Sequence, residues 1–187
     1  MISKPIEDPL FRQRYGFSRE GNVLRIEIWT EPGGGVRAEH VHPKLEERYE
    51  VLEGEVTFRV NRKAQKAGPG ERLVVPAGVR HSFENTGSGT AHLVVEAEPA
   101  LELRESIEDG VRLARTARLT ASGKPRGLQA LIAAASFAHR YRETVILSSP
   151  PPAMQRLLSP LLARFSATSP DAGVPRAQAS DETVTRG

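Results

Sequence analysis

The sequence lacks cysteine, long apolar runs and any marked excess of one charge sign. The missing cysteine excludes disulfides, thiolate metal ligands and a cysteine nucleophile, and it is typical of a reducing compartment. The longest apolar stretch, residues 128–138, is too short to span a bilayer. The first residues show no basic segment followed by an apolar core, so we expect no signal peptide. These absences predict a cytoplasmic protein without a membrane partner.

The charged residues are mixed along the chain rather than clustered. Lys and Arg number 26 against 23 Asp and Glu, which gives a formal net charge of +3 for 187 residues. A nucleic-acid-binding face needs a basic run or a face crowded with Lys and Arg, and neither is present. We therefore expect a solvated surface and no nucleic-acid partner. The length is typical of one compact domain with an appendage.

Short stretches of alternating apolar and polar residues, separated by turns rich in Gly and Pro, follow one another from about residue 9 to 99. In "NVLRIEIWT", for example, every second residue from Leu24 to Ile28 is apolar. Alternation with a period of two indicates β-strands that are buried on one face. Many such strands at regular spacing predict an antiparallel sandwich or barrel, a mainly β fold.

The composition changes after Ala100. Three segments there have helical patterns: 104–118, 126–142 and 151–165. We expect a β domain at 1–100, a helical extension at 101–166 that packs on it or on a dimer partner, and a flexible tail at 167–187. The apolar helix faces need burial, and we expect a homodimer.

Histidines and acids recur on the predicted inward faces of the strands. In "EHVHPKLEERYEVLEGE", the side chains of His40 and His42 share a face because neighbouring side chains in a strand alternate. Glu47 shares a face with Tyr49 and Val51, and the opposite face of that strand is entirely charged. Glu47 therefore points into the core, where an unpaired carboxylate would be costly.

A third strand, "VRHSFEN", adds another imidazole, because His81 shares a face with the apolar Phe83. Three imidazoles and a carboxylate on inward faces form a mixed nitrogen and oxygen set. Such a set suits a divalent transition metal: Mn, Fe, Ni, Co, Cu or Zn. Four protein ligands of an octahedral ion leave two positions for water, substrate or oxygen.

Two segments resemble the paired motifs of the cupin superfamily. The first is Gly34, five residues, His40, one residue, His42, four residues, Glu47, six residues, Gly54. The second is Gly70, five residues, Pro76, one residue, Gly78, two residues, His81, three residues, Asn85. The resemblance covers about residues 10 to 100 and is typical of compact single-domain cupins. It implies a small double-stranded β-helix, or jelly-roll barrel, over those residues and says nothing about residues 101–187.

The resemblance also implies that His40, His42, Glu47 and His81 are metal ligands. Cupins with this set include oxygenases, isomerases, decarboxylases and small lyases, so the resemblance implies chemistry of one of these kinds. Our first hypothesis is a metal-dependent enzyme, with dioxygenase or related oxidoreductase chemistry on a small organic molecule favoured and Glu47 as a catalytic base. The second hypothesis is a non-catalytic module that binds or senses a small molecule. His92 and His139 are interpreted as structural or surface residues, not as ligands.

Overall fold

The computed structural model describes residues 2–116, 124–147 and 160. In chain order, the strands in these residues are β1 Ile6–Asp8, β2 Gln13–Glu20, β3 Val23–Thr30, β4 His40–Val41, β5 Glu46–Glu53, β6 Val56–Val60, β7 Lys63–Ala67, β8 Arg72–Val75, β9 His81–Asn85, β10 Ala91–Glu98 and β11 Ile146–Leu147. The helices are α1 Leu103–Thr116 and α2 Leu128–Arg140, and both lie between β10 and β11.

The strands form two sheets with antiparallel pairing throughout. A six-stranded sheet has the order β1-β2-β3-β10-β5-β8, and a five-stranded sheet has the order β11-β4-β9-β6-β7. Neighbours such as β3 and β10 are far apart in sequence, as in a jelly roll. The predicted mainly β fold with helices after it is confirmed. Among the described residues no strand pairing joins the two sheets, so they are not closed into a barrel.

The space between the sheets is filled by the apolar residues that alternation placed inward. On β5, Tyr49 and Val51 are 4% and 1% exposed, and Ile26, Phe58 and Phe83 are similarly buried. The predicted register of β5, with Glu46, Arg48 and Glu50 on the outer face, is therefore confirmed. On β9, Ser82 is also buried although alternation places it on the face opposite His81 and Phe83. It is small, and it lies on the central strand of its sheet opposite the long side chain of Arg59.

Two features of the turns depend on left-handed backbone. Gly54 has φ +80°, and a Cβ atom there would lie 2.7 Å from the Cα of Ala91, so only glycine fits without a shift. Asn61 and Arg62, with φ of 48° and 67°, connect β6 to β7. Sequence reasoning missed β7, because four of its five residues are exposed and it has no apolar alternation.

The helices of the extension differ in how deeply they pack. Leu103 and Val111 of α1 belong to the same buried cluster as the residues between the sheets. On α2, Ala130 is buried but Leu128 and Leu131 are 68% and 44% exposed. The predicted first and second helices are found with shifted ends, at 103–116 and 128–140. The predicted helix at 151–165, apart from Pro160, and the predicted tail at 167–187 lie outside the described residues. None of the helices in the described parts of the chain is long and apolar enough to cross a membrane.

Candidate metal centre

The four predicted site residues converge between the two sheets. His40 on β4 lies directly opposite His81 on β9 in the smaller sheet, and His42 follows one residue after β4. Glu47 reaches them from β5 in the larger sheet. One ligand atom from each residue lies within 4.8 Å of the others, and the residues are between 2% and 7% exposed. The fold thus brings together the complete set that the sequence indicated.

Each imidazole is oriented by a hydrogen bond from its Nδ1 atom to a backbone carbonyl. His40 donates to the oxygen of Ala38 at 3.0 Å, and His81 donates to the oxygen of Val79 at 3.0 Å. A carbonyl oxygen can only accept, so Nδ1 carries the proton in both rings. The same bond in His42 goes to a distant part of the chain, to the oxygen of Thr144 at 2.6 Å. In a neutral ring this leaves the Nε2 lone pair free to bind a metal.

The Glu47 carboxylate lies between two of these Nε2 atoms. Its Oε2 atom is 2.8 Å from Nε2 of His81, and its Oε1 atom is 3.4 Å from Nε2 of His42. The hydroxyl of Tyr49, two residues along β5, donates to Oε2 at 3.0 Å. Tyr49 lies on the same inward face of β5 as Glu47, and its hydroxyl orients the acid.

The burial and crowding of the cluster change the proton affinities of its members. Burial lowers the pKa of His40, and the neighbouring His81 and His42 lower it further, to about 3. Burial alone would raise the pKa of Glu47, but the surrounding imidazoles outweigh it and lower the pKa to about 2. For His81, burial lowers the pKa, but the adjacent Glu47 carboxylate raises it overall. His40 is thus neutral and Glu47 ionised, the forms in which each can act as a metal ligand.

The arrangement passes a geometric test for a metal site. Nε2 of His81 is buried and, among the described residues, has no aligned hydrogen-bond partner, although Glu47 Oε2 is only 2.8 Å away. Two ligand atoms on opposite sides of an ion, each about 2.1 Å from it, are about 4.2 Å apart. A cluster that spreads over 4.8 Å therefore needs only a small contraction. The buried His-His-Glu-His group is able to hold a divalent metal, and its chemistry does not select one metal.

The other histidines lie away from this cluster. His92 stacks on Trp29 with ring centroids 4.7 Å apart, and its Nε2 is 3.1 Å from a carboxylate oxygen of Glu27. His139 lies in the last turn of α2.

Sequence reasoning missed the hydrogen bond between the Thr144 carbonyl and His42, because no local pattern relates the two residues.

A comparison with protein families agrees with the motifs and the geometry. The family model described as "Cupin domain" matches residues 28–96, which include all four clustered residues. Those residues form a cupin domain. The match leaves the helices α1 and α2 and the strand β11 outside the cupin segment.

The chain is similar to a curated protein and to solved structures of other proteins. The tetracenomycin polyketide synthase protein TcmJ of Streptomyces glaucescens is 35% identical over 72 residues, 38% of this chain and 48% of that protein. The chain therefore spans about half the length of this curated relative. An RmlC-like cupin from Shewanella frigidimarina has 21% identity and a TM-score of 0.47, covering 56% of this chain and 87% of that one. A double-stranded β-helix protein from Klebsiella pneumoniae has 22% identity and a TM-score of 0.44, covering 52% of this chain and 75% of that one.

Proposed function

We propose that the chain is a metal-dependent cupin enzyme that acts on a small, oxygen-rich organic molecule. His40, His42, Glu47 and His81 are its metal ligands. The observation that carries the proposal is the convergence of one ligand atom from each, within 4.8 Å, in a group that is almost fully buried. Four buried polar side chains are poorly tolerated unless they share a partner, and one divalent ion serves all four.

The residues of the chain prepare the centre for such an ion. The backbone carbonyls that accept from Nδ1 point three Nε2 atoms toward one another. The Tyr49 hydroxyl holds one oxygen of Glu47, so the acid is fixed on the side where the imidazoles meet. A bound divalent metal would supply Lewis acidity toward an oxygen donor of the substrate and, for a redox-active metal, electron transfer. Glu47 is the candidate base, because it is the carboxylate of the cluster and would accept a proton once it loosens from the metal.

The substrate class is proposed from the donor set and from the relative. An ion held by these four residues leaves positions that a chelating phenol, diketone or keto acid can fill. TcmJ is named as a tetracenomycin polyketide synthase protein, which fits a substrate with adjacent oxygen functions. Dioxygenase-like oxidation and non-oxidative isomerase-like or decarboxylase-like reactions both use such substrates, and oxygen consumption separates them.

A second candidate function, a binding or sensing module without turnover, is favoured by the depth of the cluster. The four clustered residues are only 2% to 7% exposed, so burial restricts the exchange of substrate and product with solvent.

Turnover tests the choice between the two functions. Metal-loaded protein is given phenols, 1,3-diketones and keto acids while oxygen uptake and products are followed by electrode and mass spectrometry. We expect turnover that Glu47→Gln abolishes. The matched control is Glu27→Gln, which alters a carboxylate paired to His92 on the outer face of the sheet. Tight binding without products would support the binding module, and the absence of both would contradict the proposal.

The organisation of the whole chain remains a prediction. We propose a cupin domain at 1–100, a helical extension at 101–166 and a tail at 167–187, in a cytoplasmic homodimer. The exposed Leu128 and Leu131 of α2 support a dimer contact on the extension. Light scattering of the purified protein measures the mass directly, and a mass of one chain at micromolar concentration would contradict the dimer.

A further inference from the structure

The strand that carries His40 is short, and the cupin domain adds backbone hydrogen bonds on either side of it, from Phe83 N to Val36 O at 3.0 Å and from Gly78 N to His42 O at 2.8 Å. β4 has two residues, and its pairing with β9 consists of His40 opposite His81. On its other side, β4 pairs with β11, Ile146 with Val41 and Leu147 with His40. β11 follows the helices of the extension, more than 40 residues after the end of the segment matched by the family model, 28–96. The extension thus supplies a second neighbour for the ligand strand.

The three imidazoles differ in the origin of the carbonyl that orients them. For His40 and His81 the acceptor lies two residues earlier in the chain, so the local loop is sufficient. For His42 the acceptor is Thr144, which is 102 residues away. Thr144 is 2% exposed, and its bond to His42 at 2.6 Å is buried. The tautomer and orientation of one proposed ligand therefore depend on the extension.

The segment that presents this carbonyl is tied to both helices. The amide groups of Thr144 and Val145 donate to the oxygen of Tyr141, each at 2.8 Å, and form a tight turn. Tyr141 is 1% exposed, and its hydroxyl donates to Oδ2 of Asp109 on α1 at 2.6 Å. Its own amide donates to Phe137 on α2 at 3.0 Å. The Tyr141 side chain thus links the turn to α1.

We propose that the segment from Tyr141 to Leu147 is a positioning element of the metal centre, and that Tyr141 and Asp109 are positioning residues acting through the Thr144 carbonyl. The inference rests on the proposed metal ligands. It assigns the helical extension a role in the site: the extension holds β4 from its outer edge and keeps the His42 proton on Nδ1. Metal affinity is then coupled to the packing of α1 and α2, although neither helix contributes a ligand.

The test uses the full-length chain with Tyr141→Phe and, separately, Asp109→Asn. The first removes the hydroxyl, and the second weakens its acceptor, together with the ion pairs of Asp109 with Arg112 and Arg140, while keeping the tyrosine. The control is Tyr15→Phe, which removes a buried hydroxyl that contacts Gln13 and Asp8 of the larger sheet and not Tyr141 or Thr144. We expect Zn²⁺ affinity to fall about tenfold in both test variants, as for other groups that orient a ligand, and to stay near the wild-type value in the control.

The second readout needs no metal. In the metal-free protein, ¹⁵N spectra of the imidazoles report which nitrogen carries the proton. We expect His42 to shift from the Nδ1–H form toward a mixture in the two test variants, while His40 and His81 keep theirs. An unchanged His42 tautomer and affinity would overturn the inference, and so would a change shared equally by all three rings, which would indicate general loosening. If the wild-type chain binds none of Mn²⁺, Fe²⁺, Co²⁺, Ni²⁺, Cu²⁺ and Zn²⁺, the proposed function fails, but the tautomer measurement still decides the positioning role.

Discussion

The Tyr49 hydroxyl offers a sharp test of how the acid of the centre is held. Tyr49→Phe removes one oxygen atom and keeps the ring, which packs against Phe58 with centroids 5.0 Å apart. The lost hydroxyl donates to Oε2 of Glu47 at 3.0 Å, and both residues are buried, at 4% and 5% exposure. The substitution therefore leaves a buried carboxylate with one donor fewer and little change in packing.

The magnitude follows from the charge of the acceptor. A buried hydrogen bond to an ionised group contributes about 1.5–3 kcal/mol. If that energy is expressed in metal binding, at about 1.4 kcal/mol for each factor of ten, the affinity falls by roughly 10- to 100-fold. The same range, about 10- to 100-fold, is typical for removal of a group that orients a metal ligand. The energy of the lost hydrogen bond and the usual effect of a ligand-orienting group therefore both predict a loss of metal affinity of roughly 10- to 100-fold.

The assay is a titration of metal-free protein with Zn²⁺ followed by calorimetry. Tyr15→Phe is the matched control, because it removes a hydroxyl from an equally buried tyrosine at 4% exposure that contacts Gln13 rather than Glu47. We expect both variants to unfold at lower denaturant concentration but only Tyr49→Phe to lose metal affinity. A folded Tyr49→Phe protein that binds within twofold of the wild type would refute the reasoning.

Five further substitutions, in three comparisons, test other parts of the structure. His42→Ala should remove stoichiometric metal and the stabilisation that bound metal gives, which is about 2.7 kcal/mol at a metal concentration 100 times Kd. His92→Ala should keep both. Elemental analysis measures the metal content and thermal melts measure the stabilisation. Gly78→Ala, at φ +78° with no described atom within 4 Å of the new Cβ, should cost about 1–2 kcal/mol. Gly54→Ala has a similar φ of +80° but meets Ala91 at 2.7 Å, so it should cost more, and equal denaturation midpoints would argue against this close approach. Leu103→Ala should cost about 2–5 kcal/mol if α1 belongs to the core, and a midpoint unchanged from the wild type would show that α1 is an independent add-on.

The fold and the convergence of the four clustered residues were predictable because strand alternation and burial act locally. Glu47 could be placed inward because the opposite face of β5 is entirely charged, and its burial at 5% exposure agrees. His81 followed from Phe83 by the same reasoning. β7 was not predictable in this way, because its side chains are mostly exposed and nothing in its pattern distinguishes it from a loop.

The contacts made by the extension could not be read from the sequence. Thr144 and His42 are 102 residues apart, and a backbone carbonyl has no residue-specific signature. β11 has two residues, too few to show an apolar alternation in the sequence, and it forms a strand because it pairs with β4. Long-range pairing of this kind is decided by the packing of the finished sheet and not by local propensity.

The central claim is most directly tested by X-ray diffraction from crystals of the protein loaded with Mn²⁺ or Zn²⁺, measured with anomalous signal from the metal. The account predicts one anomalous peak per chain, bonded to Nε2 of His40, His42 and His81 and to the carboxylate of Glu47 at about 2.0–2.2 Å. A peak coordinated by other residues, or no peak between the sheets when each ion is supplied in excess, would contradict it.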